Sequence, residues 1–219
     1  MAVAGIVALW IAFAATHMSL SSLRLRPRLV AALGLRGFLG LYSIIALATF
    51  VPMVSLYFRN KHAGPQLWYL GGVPGMRWAV YIGLGAALVL SVAGLIRPSP
   101  AGLLPGPTQV AGVYRITRHP LFMGVGLFGL LHLLVASVNA SELAFFGGLP
   151  LFALIGCADQ DRRKLVTAGE GFRSFHEQTP FLPFTGRETL RGIAEIPLAL
   201  VLGVGLAVLL RWFHPVWFG

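Results

Sequence analysis

Long apolar runs separated by short polar or basic stretches dominate this chain. A helix needs about 20 apolar residues to cross the hydrocarbon core of a bilayer. Six runs reach or approach that length: about 2–23, 38–58, 78–96, 120–138, 143–158 and 193–210. Only residues 139–142 separate the fourth and fifth runs, which predicts a tight helical hairpin. The fifth run is short and contains Gly147, Gly148 and Pro150, so we expect it to be kinked or to span only in part.

The composition agrees with a membrane protein. Hydrophobic residues make up 57% of the chain and charged residues 11%, against about 25% charged in soluble domains. The mean hydropathy is +0.79. Only helices and closed barrels satisfy their backbone in lipid. We therefore predict an all-α, polytopic membrane helix bundle of about six transmembrane helices, formed by a single domain over 1–219.

The basic residues are unevenly distributed among the connecting stretches. Most of them follow the first, third and fifth runs: Arg24, Arg26, Arg28, Arg36, Arg97, Arg115, Arg118, Arg162, Arg163, Lys164, Arg173, Arg187 and Arg191. The positive-inside rule places these stretches in the cytoplasm and both termini on the non-cytoplasmic side. The orientation of the chain in the membrane and the attraction of basic residues to anionic lipid headgroups account for the net charge of +10. No nucleic acid partner is therefore expected. The expected location is the bacterial inner membrane.

Two histidines lie inside apolar runs, His17 in the first and His132 in the fourth. An ionisable side chain is costly at bilayer depth unless it has a partner. Each histidine could hydrogen-bond to a neighbouring helix. Alternatively, the two imidazoles share one ligand, for which haem iron is the strongest candidate. The single cysteine, Cys157, excludes a C-x-x-C-H attachment, so a haem would be bound non-covalently.

A second candidate site surrounds the start of the fourth run. Pro120 suits the first turn of a helix, which places Arg118 and His119 at an N-terminus that favours anions. The alternative is an ordinary helix start with interfacial anchors. Guanidinium groups match carboxylate geometry, so Arg24, Arg115 and Arg118 are candidates to bind haem propionates.

The stretch 159–190 mixes charged and aromatic residues. It predicts an amphipathic helix followed by a proline-limited loop at the cytoplasmic interface. His62, His176 and His214 fall in predicted loops or at an end, and we assign them no function. Trp212 and Trp217 fit an interfacial aromatic belt. No motif of a soluble hydrolase, nucleotide-binding protein or metalloprotease is present.

Four blocks in this order resemble the NnrU family, which includes the plastid 15-cis-ζ-carotene isomerase. They are HMSLSSLR at 17–24, RITRHP at 115–120, LHLL at 131–134, and a stretch from 156 to 184 that contains DRR. The resemblance covers nearly the whole chain and implies a membrane protein with non-covalent haem b whose axial ligands match His17 and His132. The implied activity is cis-to-trans isomerisation of a hydrophobic polyene such as 15-cis-ζ-carotene, with an electron donor as a further partner. The chain departs from the plant enzyme at residues 148–156: the plant enzyme has a further histidine pair there, and this chain has none.

The same RHP block and the stretch around Asp161 also resemble isoprenylcysteine carboxyl methyltransferases. That resemblance implies S-adenosylmethionine held on the cytoplasmic side by Arg118, His119, Asp161 and Arg162. The chain departs from this family at Leu121, where an aromatic residue is usual. A third alternative is a haem sensor or assembly factor without catalysis, linked to denitrification. The NnrU resemblance favours the isomerase, and the resemblance to methyltransferases gives the second alternative.

Overall fold

The computed structural model describes residues 1–70, 72–102, 106–134 and 137–217. These residues form mainly α-helix, with a short 3-10 helix and two short strands. In chain order the elements are α1 Ala2–Leu20, α2 Leu25–Arg59, β1 Gln66–Tyr69, α3 Met76–Ile96, the 3-10 helix Gly112–Arg115, α4 Pro120–His132, β2 Ser137–Asn139, α5 Ala140–Thr167, α6 Gly169–Gln178, α7 Thr189–Ala194 and α8 Pro197–Trp217.

Five of the described helices are long and apolar enough to cross a membrane: α1, α2, α3, α5 and α8. This confirms the prediction of long apolar helices. Helix α4 has 13 residues and is about 20 Å long at 1.5 Å per residue, which is shorter than a typical hydrocarbon core. The count of six spans and the side on which each terminus lies stay predictions.

The basic stretch after α1, expected only to connect two apolar helices, is itself helical from Leu25 onward. Helix α2 begins at Leu25 and has 35 residues. Its backbone is interrupted at Gly34, where φ is 71° and ψ is 167°. Side chains rarely tolerate positive φ, whereas glycine adopts it freely. Arg26 and Arg28 therefore lie on a helical segment that Gly34 separates from the apolar run, whereas Arg36 lies just beyond the break.

The predicted tight hairpin between the fourth and fifth runs was also wrong. Helix α4 ends at His132, and β2 follows before α5 begins; residues 135 and 136 of the predicted run lie outside the described residues. Strand β2 pairs antiparallel with β1, with Trp68 opposite Val138. The indole N–H of Trp68 donates to the Leu133 carbonyl at 2.8 Å. A two-stranded ribbon thus lies where the all-α prediction expected a helix and a short turn.

Helix α5 is longer than the short fifth run predicted. It has 28 residues and continues through Pro150. The charged residues that ended the apolar run support the helix, because Asp159 accepts from Arg162 at 2.7 Å and Arg163 at 2.8 Å. Ion pairs at these i, i+3 and i, i+4 spacings stabilise helices. The stretch from residue 159 to Thr167 is therefore part of α5, and the separate amphipathic helix is α6.

The chain forms two compact units. Unit 1 comprises Met1–Val73 with His132–Gly148, and unit 2 comprises Pro74–Leu131 with Leu149–Gly219. Helices α1 and α2 pack together in unit 1, and α3 and α8 pack together in unit 2. The buried core of unit 1 includes Ile6, Trp10, Phe38, Met53, Tyr57, Val138 and Phe145, and that of unit 2 includes Leu90, Val113, Tyr114, Ile116, Phe172 and Phe175.

Glycines allow close helix packing within unit 2. A Cβ at Gly124 would lie 2.6 Å from the Ala87 carbonyl oxygen, and one at Gly126 would lie 2.9 Å from the Ala153 Cβ. Helix α4 therefore approaches its neighbours at a distance that only glycine permits at these positions. Gly124 and Gly126 therefore serve helix packing.

Candidate functional site

His17 of unit 1 lies near the end of α1, among aromatic residues. Its Nδ1 is 3.2 Å from the Phe13 carbonyl oxygen. The ring centroid lies 4.0 Å from that of Phe13 and 4.8 Å from that of Tyr42. An Nδ1–H that donates to a carbonyl leaves Nε2 as the lone-pair nitrogen. This is the arrangement that orients a histidine ligand toward a metal.

His132 is the last residue of α4. Its ring stacks on Phe146 at a centroid distance of 4.4 Å and an angle of 15°. Phe146 in turn contacts Tyr57 edge to face at 5.4 Å. His132 therefore belongs to the same unit as His17 and is held by an aromatic ring of α5. Ligation of one haem by these two histidines stays a prediction.

In unit 2, a buried polar cluster lies at the start of α4. We call it the Asp161 cluster; its members are Arg118, His119, Asp161, His176 and Thr179. Asp161 is 5% exposed and accepts from Arg118 Nε at 2.7 Å and from His119 Nε2 at 2.9 Å. Arg118 also donates to the Thr179 carbonyl at 2.7 Å and to His176 Nε2 at 3.2 Å. One carboxylate thus joins residues from three separate parts of the chain.

Backbone contacts position the cluster. The Arg118 N–H donates to the Pro180 carbonyl at 2.9 Å, and the Thr117 hydroxyl donates to the Phe181 carbonyl at 2.7 Å. The Arg118 guanidinium lies 5.1 Å from the Phe181 ring centroid, within range of a cation–π interaction. The loop after α6 is therefore held against the residues that precede α4.

The surroundings of His176 favour its neutral form. Burial lowers the pKa of His176 below its ordinary value, and the positive charge of Arg118 lowers it further. A neutral imidazole can accept from Arg118 through Nε2, whereas a protonated one cannot. Asp161 supplies the negative charge that pairs with Arg118 at 2.7 Å.

The other predicted arginines lie elsewhere. Arg115 pairs with Glu188 and, at 3.1 Å, with Glu195. Arg24 is exposed just before α2. Arg162 pairs with Asp159 and its side chain is 70% exposed, so it does not join Arg118, His119 and Asp161 as the methyltransferase resemblance required. Binding of haem propionates by Arg24, Arg115 or Arg118 stays a prediction.

Two histidines without an assigned function have defined partners. His176 belongs to the Asp161 cluster, and it follows Phe172 by one helical turn on α6, so helical periodicity places it on the buried side. His62 pairs through Nδ1 with Glu142 at 3.2 Å. Glu142 is 3% exposed and also accepts from the backbone N–H groups of His62 and Asn139 at 2.8 and 3.1 Å. This carboxylate holds the start of α5 to the chain before β1.

Comparison with known proteins gives consistent matches over most of the chain. The model of the NnrU family, described as NnrU protein, matches residues 5–219. The chloroplastic 15-cis-zeta-carotene isomerase of Arabidopsis thaliana is 29% identical over 186 residues, which cover 81% of this chain and 50% of that protein. The Zea mays protein of the same name is 28% identical over 189 residues, covering 83% and 51%. The chain therefore spans about half the length of these curated relatives.

No solved structure matches this chain significantly. The family model covers all of the elements that hold the histidines of unit 1 and the Asp161 cluster of unit 2. We conclude that the chain belongs to the NnrU family.

Proposed function

We propose that this protein is an integral membrane isomerase that binds haem b and converts a cis double bond of a lipophilic polyene, such as 15-cis-ζ-carotene, to trans. Two relatives that carry the name of such an isomerase align with more than four fifths of the chain. Five long apolar helices support a location in the membrane. The bacterial inner membrane, with the basic stretches in the cytoplasm, is part of the same proposal.

The observation that carries the haem proposal is the orientation of His17. Its Nδ1 is engaged by the Phe13 carbonyl, so Nε2 is the nitrogen prepared to bind iron. His132, held by Phe146, would be the second ligand. A haem needs at most two ligands from the protein, and two imidazoles in an aromatic, apolar unit would supply them. When bound, the haem would supply a redox-active iron.

The remaining residues of unit 1 suit a hydrocarbon substrate. Glu142 is the only acidic residue of unit 1, and its oxygens are occupied by N–H and O–H donors. Unit 1 therefore offers no pair of carboxylates for acid–base catalysis. Aromatic side chains near His17 and His132, including Phe13, Tyr42 and Phe146, offer apolar surface to a polyene.

Absorption spectroscopy of the detergent-purified protein, oxidised and then reduced with dithionite, tests haem binding. We expect a Soret band with sharp reduced α and β bands, as for a low-spin haem. His17→Ala and His132→Ala should remove the Soret band, while His214→Ala, which changes an exposed histidine on α8, should retain it. Normal haem content in both His17→Ala and His132→Ala would overturn the proposed ligands.

Turnover tests the isomerase itself. Haem-loaded, reduced protein should convert 15-cis-ζ-carotene, as followed by chromatography of the isomers, and the oxidised protein should convert it more slowly. Haem-loaded, reduced protein without turnover would favour a haem sensor or assembly factor, such as one linked to denitrification.

One observation favours an S-adenosylmethionine-dependent methyltransferase as the second candidate. Arg118, His119 and Asp161 lie in direct contact, as that function requires, although Arg162 lies apart from them. This candidate would be supported if the protein stays colourless after haem supplementation and binds S-adenosylmethionine. Haem-loaded protein that does not bind S-adenosylmethionine would exclude it.

A further inference from the structure

Four arginines lie close together at the start of α2. We call them the α2 arginine cluster; its members are Arg24, Arg26, Arg28 and Arg36. The side chains of Arg24, Arg28 and Arg36 are exposed. Arg26 is partly buried, and its guanidinium lies 5.8 Å from the Phe38 ring centroid, within range of a cation–π interaction. Three guanidinium groups of one short segment are therefore accessible from outside the chain.

The chain supplies no carboxylate to the exposed members of this cluster. Residues 1–73 contain no aspartate or glutamate, and Glu142, the one acidic residue of unit 1, is 3% exposed and already bound to backbone N–H groups. Within the described residues, Arg24, Arg28 and Arg36 form no ion pair. In unit 2, by contrast, carboxylates pair with Arg115, Arg118, Arg162, Arg163, Arg173 and Arg191. The counter-charge for the α2 arginine cluster must therefore come from another molecule.

The spacing of Arg24 and Arg28 suits a shared anion. The two residues are four positions apart, and Arg24 already has helical dihedral angles, with φ −90° and ψ −46°. Side chains four residues apart are neighbours on a helix surface, and two like charges at this spacing destabilise the helix. An anion that accepts from both guanidinium groups would offset this repulsion. The planar N–H donors of arginine match the oxygens of a phosphate group.

Exposed leucines accompany the arginines. Leu23 is 39% exposed, Leu33 is 49% exposed and Leu35 is 46% exposed. A soluble phosphate gains nothing from such side chains, whereas a phospholipid carries acyl chains next to its phosphate. A basic segment with apolar residues is typical of chain that lies at a membrane interface. Clusters of about four or more arginines and lysines beside a membrane helix attract anionic headgroups.

We propose that the α2 arginine cluster binds an anionic phospholipid, with Arg24 and Arg28 donating to its phosphate group and the exposed leucines contacting its acyl chains. The proposal rests on the membrane location proposed above, and it requires neither haem nor isomerase activity. A protein without haem or turnover would therefore leave it intact.

Native mass spectrometry of the detergent-purified protein, titrated with phosphatidylglycerol, tests the proposal. We expect the first phosphatidylglycerol to bind about tenfold more tightly than phosphatidylcholine with the same acyl chains, because phosphatidylcholine has no net charge. Equal affinities for the two lipids would overturn the proposal. Glycerol 3-phosphate carries a phosphate without acyl chains, so an equal concentration of it should not displace the lipid. Displacement would overturn the assignment to a lipid.

Variants test the two arginines. Arg24→Gln/Arg28→Gln should lower the affinity for phosphatidylglycerol about 25-fold, since each arginine near an anionic headgroup contributes about fivefold. Its affinity for phosphatidylcholine should not change. Arg24→Lys/Arg28→Lys keeps both charges and should retain most of the affinity for phosphatidylglycerol.

Arg162→Gln/Arg173→Gln is the matched control. It removes the same charge from two exposed arginines that already pair with carboxylates of α5 and α6, so phosphatidylglycerol should bind as it does to the parent protein. An equal loss of affinity in the two glutamine double variants would show that net charge alone attracts the lipid, and would overturn the site.

Discussion

The carboxylate of Asp161 and the guanidinium of Arg118 form a buried ion pair, with Oδ2 and Nε 2.7 Å apart and the two side chains 7% and 9% exposed. The pair joins α5 to the residues before α4. Because both charges are shielded from water, each charge is stabilised mainly by its partner. Removal of one partner of such a pair typically costs about 3–5 kcal/mol, since the remaining charge stays buried and unpaired.

We therefore predict that Asp161→Asn lowers the free energy of unfolding by about 3 kcal/mol, as measured by denaturant titration in mixed micelles. Glu170→Gln is the matched control, because Glu170 and Arg173 form an ion pair whose side chains are 86% and 56% exposed. Exposed pairs contribute about 0–1 kcal/mol. Equal losses in the two variants would contradict the buried pair.

The stability of the Asp161 cluster should depend on pH through His176. The fold holds the pKa of His176 below its ordinary value because of burial and the charge of Arg118, so the unfolded chain binds more protons between the two pKa values. The contribution of His176 is fully present above about pH 6.5 and is lost as the pH falls below that value.

Unfolding measurements at pH 7.5 and pH 5.5 check this prediction. His176→Gln cannot titrate but can still accept from Arg118, so this variant should lose less stability than the parent protein on acidification. The acidic residues are the same in both proteins, so their contribution to the loss of stability cancels when the two losses are compared. An identical loss would show that His176 does not contribute.

Close packing in unit 2 predicts a strong effect at Gly124. A Cβ there would lie 2.6 Å from the Ala87 carbonyl oxygen and 2.8 Å from the Ser91 nitrogen, and backbone atoms cannot move aside as a flexible side chain can. We expect Gly124→Ala to destabilise the protein by about 1–3 kcal/mol. A Cβ at Gly205 on α8 would meet no atom of the described residues within 4 Å outside the local helix backbone, so Gly205→Ala should be neutral or slightly stabilising. Thermal unfolding of both variants in detergent tests the difference.

Glu142 predicts a stability effect in unit 1. Glu142→Ala would leave the backbone N–H groups of His62 and Asn139 without their acceptor, so we expect a loss of about 2–3 kcal/mol. Glu142→Gln keeps one acceptor oxygen and should lose less. Glu177→Ala, at an exposed position of α6, should change stability by less than about 0.5 kcal/mol. A similar result for Glu142→Ala and Glu177→Ala would show that the network contributes little.

Hydropathy alone predicted the apolar helices well. The runs 2–23 and 78–96 correspond closely to α1, Ala2–Leu20, and α3, Met76–Ile96. It failed at α5 because charges such as Asp159 and Arg163 end an apolar run without ending a helix when they pair along it. It also missed the ribbon of β1 and β2, since strands of four and three residues are defined by pairing with a distant segment rather than by local periodicity.

The sequence identified Arg118 and His119 but not their shared environment. Asp161 lies 42 residues beyond His119 along the chain, and only the fold brings the two into contact. The resemblance to methyltransferases grouped these residues, yet it also included Arg162, which helix α5 places with Asp159 instead.

The backbone break at Gly34 also has a consequence for how the chain is matched to a bilayer. An unbroken helix of the length of α2 would be about 52 Å long at 1.5 Å per residue, well beyond a hydrocarbon core of about 30 Å. In the described part of the chain, no atom outside the local helix backbone lies within 4 Å of the position that a Cβ of Gly34 would occupy, so the glycine is required by its dihedral angles and not by crowding. In a membrane, a break at this residue would let the segment that carries Arg26 and Arg28 follow the headgroups while the apolar run crosses the hydrocarbon core.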